Sequence, residues 1–181
     1  MRKRLVRMIV AVAAVGLAAG CSSGSDSSSG TLDPCRQIGD DAVRAAGFEP
    51  STKLVKDDVP GSPAHECTFT AAATGMLRID LYTTGNTYDH LLTDAQSRAA
   101  TNGRTPPELS KINGRDTFTH PEEIIGEDKS IPLGCSTTLR TATGALKFTV
   151  LPHAEDLYRT DDACKAVTKA AQALEPTIGT R

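Results

Sequence analysis

Four cysteines, Cys35, Cys67, Cys135 and Cys164, constrain the fold of this chain more than any other feature. In a protein that leaves the cytosol, an even set of thiols implies two disulfides. Four thiols can pair in three ways. No C-x-x-C occurs, so a thioredoxin-like redox motif and the common zinc-knuckle spacings are both absent. Disulfides persist only outside the reducing cytosol, so the N-terminus decides whether this framework applies.

The chain opens with Arg2, Lys3, Arg4 and Arg7, and no acid precedes Asp26. An apolar stretch runs from Met8 to Ala19. It is too short to span a bilayer core of ~30 Å, which takes ~20 apolar residues. A basic head, a short apolar middle and the small residues Ala18, Ala19 and Gly20 describe an export signal over residues 1–20. The next residue is Cys21, and Leu17-Ala18-Ala19-Gly20-Cys21 resembles a bacterial lipobox. Its commonest pattern has Leu where this chain has Ala18, with Leu17 one position earlier. The resemblance implies that the Cys21 thiol carries a diacylglyceryl group and becomes the first residue after cleavage. Each buried CH₂ adds roughly 0.8 kcal/mol, so two acyl chains anchor firmly where one is marginal. The serine- and glycine-rich residues 21–32 then form a tether with a reach of about 20 Å.

The remaining residues, 33–178, have the length of one domain and enough chain for a core. Removing the four basic residues of the signal takes the formal charge from −2 to −6. An acidic domain has no electrostatic footprint for nucleic acid and no polybasic attraction to anionic lipid. With no Trp, three Tyr and four Phe, a stacking platform for sugars or bases is disfavoured.

LDPCRQIGDDAVRAAGFEP reads as one helix, with Asp33 as cap, Pro34 in the first turn and Gly47 at the end. Residues 51–64 read as loop, broken by Pro60-Gly61 and Pro63. ECTFTAAA and MLRIDLYTT alternate as strands of a hairpin turning at Gly75. Leu77, Ile79 and Leu81 face one side of the second strand. Thr87 to Ala100 is helical, with Tyr88, Leu91, Leu92, Ala95 and Ala99 on one stripe. ELSKING and RDTFTH are short strands around the turn dipeptide Asn113-Gly114. Residues 121–134 read as an acidic loop, and CSTTLRTATGALKFTVL as a hairpin turning near Thr143-Gly144. TDDACKAVTKAAQALEP closes the domain as a helix with Asp161 as its cap. Strands that neighbour in sequence predict an antiparallel sheet with helices packed on one face: a single α+β domain.

On this map, pairing Cys35 with Cys67 and Cys135 with Cys164 ties each terminal helix to a strand. Each pair closes about 30 residues, which contributes roughly 3–4 kcal/mol in the chain-entropy model. A crossed pairing of the same four residues is the main rival.

Cys21, Leu32-Asp33-Pro34-Cys35, Cys67 at a strand start, Gly134-Cys135 and Asp162-Ala163-Cys164 together resemble a family of small actinobacterial lipoproteins, including mycobacterial Lpr-type lipoproteins. Many relatives have Trp where this chain has Phe69. The resemblance implies a membrane-anchored envelope protein on the extracytoplasmic side, and it brings no catalytic residues.

His120, Glu122 and Glu123 of HPEE could hold a divalent cation, and His65-Glu66 is a second pair. Neither matches an established metal motif, so a solvated acidic loop is the expectation and no metal or cofactor is expected. A hydrolase would have to use His90 or His153 as base, yet G-x-S-x-G and H-E-x-x-H are absent and the serines cluster in the tether. The expected function is non-catalytic: a binding or scaffolding module that captures another envelope protein or a small ligand.

Overall fold

The computed structural model describes residues 32–57, 65–83, 87–125, 130–153 and 160–178. The signal, Cys21 and the tether up to residue 31 lie outside these residues, while Leu32 packs against the core. Among the described residues, no helix is long and apolar enough to cross a membrane. In chain order the elements are α1 (Pro34–Gln37), α2 (Asp40–Ala46), β1 (Glu49–Asp57), β2 (His65–Ala71), β3 (Gly75–Tyr82), α3 (Tyr88–Thr101), β4 (Glu108–Ile112), β5 (Arg115–Ile125), β6 (Ser130–Arg140), β7 (Ala145–Leu151) and α4 (Thr160–Leu174).

The strands form one seven-stranded sheet in the order β1-β2-β3-β7-β6-β5-β4. Every neighbouring pair is antiparallel. Two meanders, β1–β3 and β4–β7, therefore meet where β3 pairs with β7. Asn113 and Gly114 both take positive φ, 50° and 87°, which is the backbone a tight hairpin turn between β4 and β5 requires. The α+β plan read from the residue pattern holds.

Strand alternation sorts the side chains into two faces. On the inner face Leu77, Ile79 and Leu81 of β3 oppose Val150, Phe148 and Leu146 of β7, each at most 2% exposed. α1, α2 and α4 cover this face, with Val43, Val167, Ala170, Ala171 and Leu174 in the same buried cluster. The alanine stripe of α4 lets its backbone come close to β6 and β7. α3 lies over the outer face instead, where Tyr88, Leu91, Leu92 and Ala95 pack with Phe118 and Ala145.

Both disulfides are the local pairs. Cys35–Cys67 has a Cα–Cα distance of 5.6 Å and Cys135–Cys164 one of 4.9 Å. The first ties α1 to β2, the second α4 to β6.

The structure also corrects four readings of individual segments. The first helix is two. Ile38 is extended and Gly39 becomes the start of α2, because Ile38 turns into the core (4% exposed) beside the crosslinked Cys35, and glycine is a poor helix former. Asp33 still caps α1 through the Arg36 N–H, and Gly47, at φ 94°, ends α2. Residues 51–57 are not loop but most of β1. It is an edge strand with a register shift between Glu49 and Leu54, and its Leu54 and Val55 are exposed. With successive Leu54 and Val55 both exposed, the strand leaves no periodic signal, and its Pro50 is tolerated at an edge. Finally, 121–125 and 130–134 are strand, continuing β5 and opening β6. Pro121 lies past Thr119, the last β5 residue beside β4, so it interrupts no ladder bond to that strand. Asp161 sits within the first turn of α4 rather than capping it.

Replacing Cys135 and Cys164 together by alanine should lower unfolding free energy by about 3–4 kcal/mol, from the 29-residue separation they close. Urea unfolding with unchanged far-UV circular dichroism of the native state checks it. A loss under about 1 kcal/mol would show that α4 docks without its crosslink.

Candidate functional site

The centre of the outer face is polar and yet buried. Asp80 on β3, Ser136 and Thr138 on β6, and Thr149 on β7 are each at most 1% exposed. Burying such groups costs unless they find partners. Most do. Ser136 shares a hydrogen bond with Thr149 at 2.8 Å and donates to Glu122 Oε1 at 2.5 Å. Arg78 Nε meets Asp80 Oδ2 at 3.0 Å.

α3 roofs part of this face. The Tyr88 ring packs edge-on against Phe118 at 5.3 Å. Arg140 of β6 forks onto the Asp89 carboxylate at 2.7 and 2.6 Å and lies 4.2 Å over the Tyr88 ring. These contacts hold the N-terminal end of α3 down. Beyond it, Leu91, Ala95 and Arg98 of α3 line a cleft of about 310 Å³ together with Phe118, His120 and Thr138 of the sheet. That volume is at the small end for a ligand pocket.

The floor of the cleft is organised around Glu122. Lys147 Nζ lies 2.5 Å from Glu122 Oε1, and His120 Nε2 lies 3.5 Å from the same atom. Burial pushes the Glu122 carboxyl up, but Lys147, His120 and the Ser136 hydroxyl outweigh it and hold the group below its ordinary range. Burial pushes His120 down, helped by Lys147 and Arg98 against the pull of Glu122. His120 is therefore neutral near pH 7. Assigning the ring proton to Nε2, which faces Glu122 Oε1, leaves Nδ1 as an acceptor, and that buried atom has no partner among the described residues. Thr138 Oγ1 is likewise buried and unpartnered.

The metal trio is split by this arrangement. β5 brings His120 and Glu122 to one side, but the register shift between Glu122 and Glu123 leads Glu123 to an ion pair with Arg104 at 3.6 Å. Among the described residues, no group of three metal-ligating side chains converges. His65 and Glu66, adjacent in β2, fall on opposite faces, and Glu66 pairs with Lys56 at 3.0 Å. His90 is exposed in the first turn of α3. His153 Nε2 lies 3.2 and 3.0 Å from the carbonyls of Ala71 and Ala72. The four domain cysteines are all in disulfides.

Lys147, Thr138, Ser136 and Arg98 were not singled out by the residue pattern. Lys147 left a trace: it is the lone charge in the apolar strand ALKFTVL. A cation there needs a carboxylate opposite, and reading HPEE as strand rather than loop would have supplied Glu122.

Asp80 makes the polar face sensitive to pH. Burial pushes its carboxyl up to about 6, against Arg78 and Lys147, and its Oδ1 accepts no hydrogen bond. A carboxyl raised on folding stabilises the native state when protonated. That contribution is complete below about 3.8 and is lost as pH rises through about 6. Glu122 acts with the opposite sign but is common to wild type and Asp80→Asn. Compared with that variant, the wild type should lose on the order of 3 kcal/mol between about pH 4 and about pH 7. Paired urea titrations measure it, and a difference that does not vary with pH would be inconsistent with a buried, raised Asp80.

No curated protein matches the sequence. Among solved structures, the cyanobacterial PsbP (CyanoP) from Synechocystis sp. PCC 6803 is similar at a TM-score of 0.45 and 13% identity, over 68% of this chain and 83% of that one. A likeness that distant says nothing about activity. A sequence model described as protein of unknown function (DUF3558) matches residues 15–177, nearly the whole length, and the chain belongs to that family.

Proposed function

We propose that this chain is a lipid-anchored binding module of the cell envelope, held at the outer face of the cytoplasmic membrane through a diacylglyceryl group on Cys21, and that the cleft under α3 receives its ligand. The anchor rests on the lipobox-like Leu17–Cys21 stretch, the tether and the resemblance to small actinobacterial lipoproteins. The binding role rests on one observation: a cleft of about 310 Å³ with apolar side chains of α3 and Phe118 on its walls and His120 and Thr138 in its floor, each carrying a buried polar atom that has no partner among the described residues. Apolar walls with a few convergent polar groups are the usual make-up of a small-molecule site.

The alternatives draw no support from the geometry. A hydrolase needs a nucleophile beside its base; among the described residues His90 is exposed in the first turn of α3, and the His153 ring meets the backbone carbonyls of Ala71 and Ala72. A metal site through His120, Glu122 and Glu123 would have to displace Lys147 from Glu122 and Arg104 from Glu123.

Cys21→Ala should move the protein from the membrane fraction to the medium or the extracytoplasmic soluble fraction. A non-reducing peptide map of the wild type should show an acylated N-terminal Cys21. An unmodified Cys21 would remove the anchor. Separately, native mass spectrometry of protein purified from its own cells should show a bound small molecule. Ala95→Phe, which fills the cleft from α3, should abolish that mass, and retention of the mass in this variant would place the ligand elsewhere.

A further inference from the structure

We propose, building on the cleft as a binding site, that its ligand class is an uncharged, hydroxylated amphiphile: an apolar body lies against Leu91, Ala95 and Phe118, and a hydroxyl-bearing head is bound by His120 Nδ1 and Thr138 Oγ1. Charge accounting around the cleft disfavours a charged ligand. Each cation beside it already faces a carboxylate: Arg98 meets Asp94 at 3.0 Å, Arg104 meets Glu123 at 3.6 Å and Lys147 meets Glu122 at 2.5 Å. An anionic ligand at the floor would have to draw Lys147 from Glu122, and a cationic ligand would meet carboxylates already neutralised by their partners. The Lys147–Glu122 pair is the costliest to break, since both side chains are at least three-quarters buried and an unpaired buried charge is strongly unfavourable.

What the floor leaves unsatisfied is neutral. Thr138 is 1% exposed, lines the cleft and has no partner for its hydroxyl. It sits between Phe118 and Lys147 in the same row of the sheet. His120 lies diagonally from it, one row along, with its ring stacked on Phe118 at 5.6 Å and its Nδ1 unpartnered. A bare imidazole nitrogen accepts one hydrogen bond, and a threonine hydroxyl both donates and accepts. A ligand hydroxyl satisfies both kinds of atom, whereas a carboxylate can accept from Thr138 but offers His120 Nδ1 no proton. The apolar body has its own surface in Leu91 and Ala95, half-buried on the cleft side of α3.

The test uses residues 21–181 with Cys21→Ala and both disulfides formed, so that no detergent competes. Three probes share an eight-carbon chain and are titrated below their micellar concentrations: n-octyl glucoside, sodium octanoate and octyltrimethylammonium chloride. Methyl and aromatic NMR signals of Leu91, Ala95, Phe118 and His120 report the site. The glucoside should shift these signals and bind at least several-fold tighter than either ion. Thr138→Val, close in shape but without the hydroxyl, should weaken the glucoside by about five-fold. Its unchanged amide spectrum outside the cleft confirms folding. Shifts caused more strongly by a charged probe would overturn the uncharged class while leaving the cleft as the binding site. Glucoside binding indifferent to Thr138→Val would overturn the assignment of the polar floor. If no probe moves the cleft signals, the amphiphile class falls, and the copurified mass with its Ala95→Phe control decides the cleft by itself.

Discussion

Everything in this fold hangs on the pairing of β3 with β7. It joins residues as far apart in sequence as Met76 and Leu151, in unbroken register to Tyr82 and Ala145. Its inner side is the most deeply buried part of the core, Leu77, Ile79 and Leu81 against Val150, Phe148 and Leu146. Without it the protein would be two separate meanders, each with a long open edge, and exposed edges invite aggregation. Closing so long a loop is entropically costly, and contiguous apolar burial is the only term on this scale available to offset it. The disulfides brace the join from either side, through β2 next to β3 and through β6 next to β7.

The same pairing builds the polar outer face. Across the join Asp80 stands opposite Lys147, and Arg78 opposite Thr149. Lys147 then serves two sides, easing the charge on buried Asp80 and holding Glu122 at 2.5 Å. A fold optimised only for stability would place apolar residues here, as it does on the other face. Keeping a buried lysine, two carboxylates, a neutral histidine and three unpartnered polar atoms, of Asp80, His120 and Thr138, on one face is expensive. Such groups concentrate where a protein binds something. The cleft also lies along α3, which Arg140 and Tyr88 fix at its N-terminal end.

Much of the domain was legible because it follows local periodicity. The alternation of MLRIDLYTT, the stripes of α3 and α4, the turn at Asn113-Gly114 and the spacing of the cysteines are properties of short windows. The elements that escaped notice follow no such rule. β1 is an edge strand and lacks alternation. Pro121 and the acids after it disguise the second half of β5, which is a strand only because β6 supplies its partners. Gly39, a poor helix former, divides a helix that looked continuous. His120 and Glu122 were picked out by residue type, but their surroundings were invisible: strand register brings Ser136 alongside, and Lys147 arrives from β7.

By itself the sequence determined the class of the domain, its acidic balance, its four-cysteine framework and the lipobox-like segment ahead of the tether. These depend on composition and on contacts between near neighbours, which a linear pattern records. Only the tertiary structure decided that α3 crosses to the outer face, that Glu122 belongs to Lys147 rather than to a metal trio, and that His120 and Thr138 look into one cleft. Those outcomes rest on strand order and register. A shift of one residue in β5 would exchange its two faces, and only the packing of the whole sheet chooses between them.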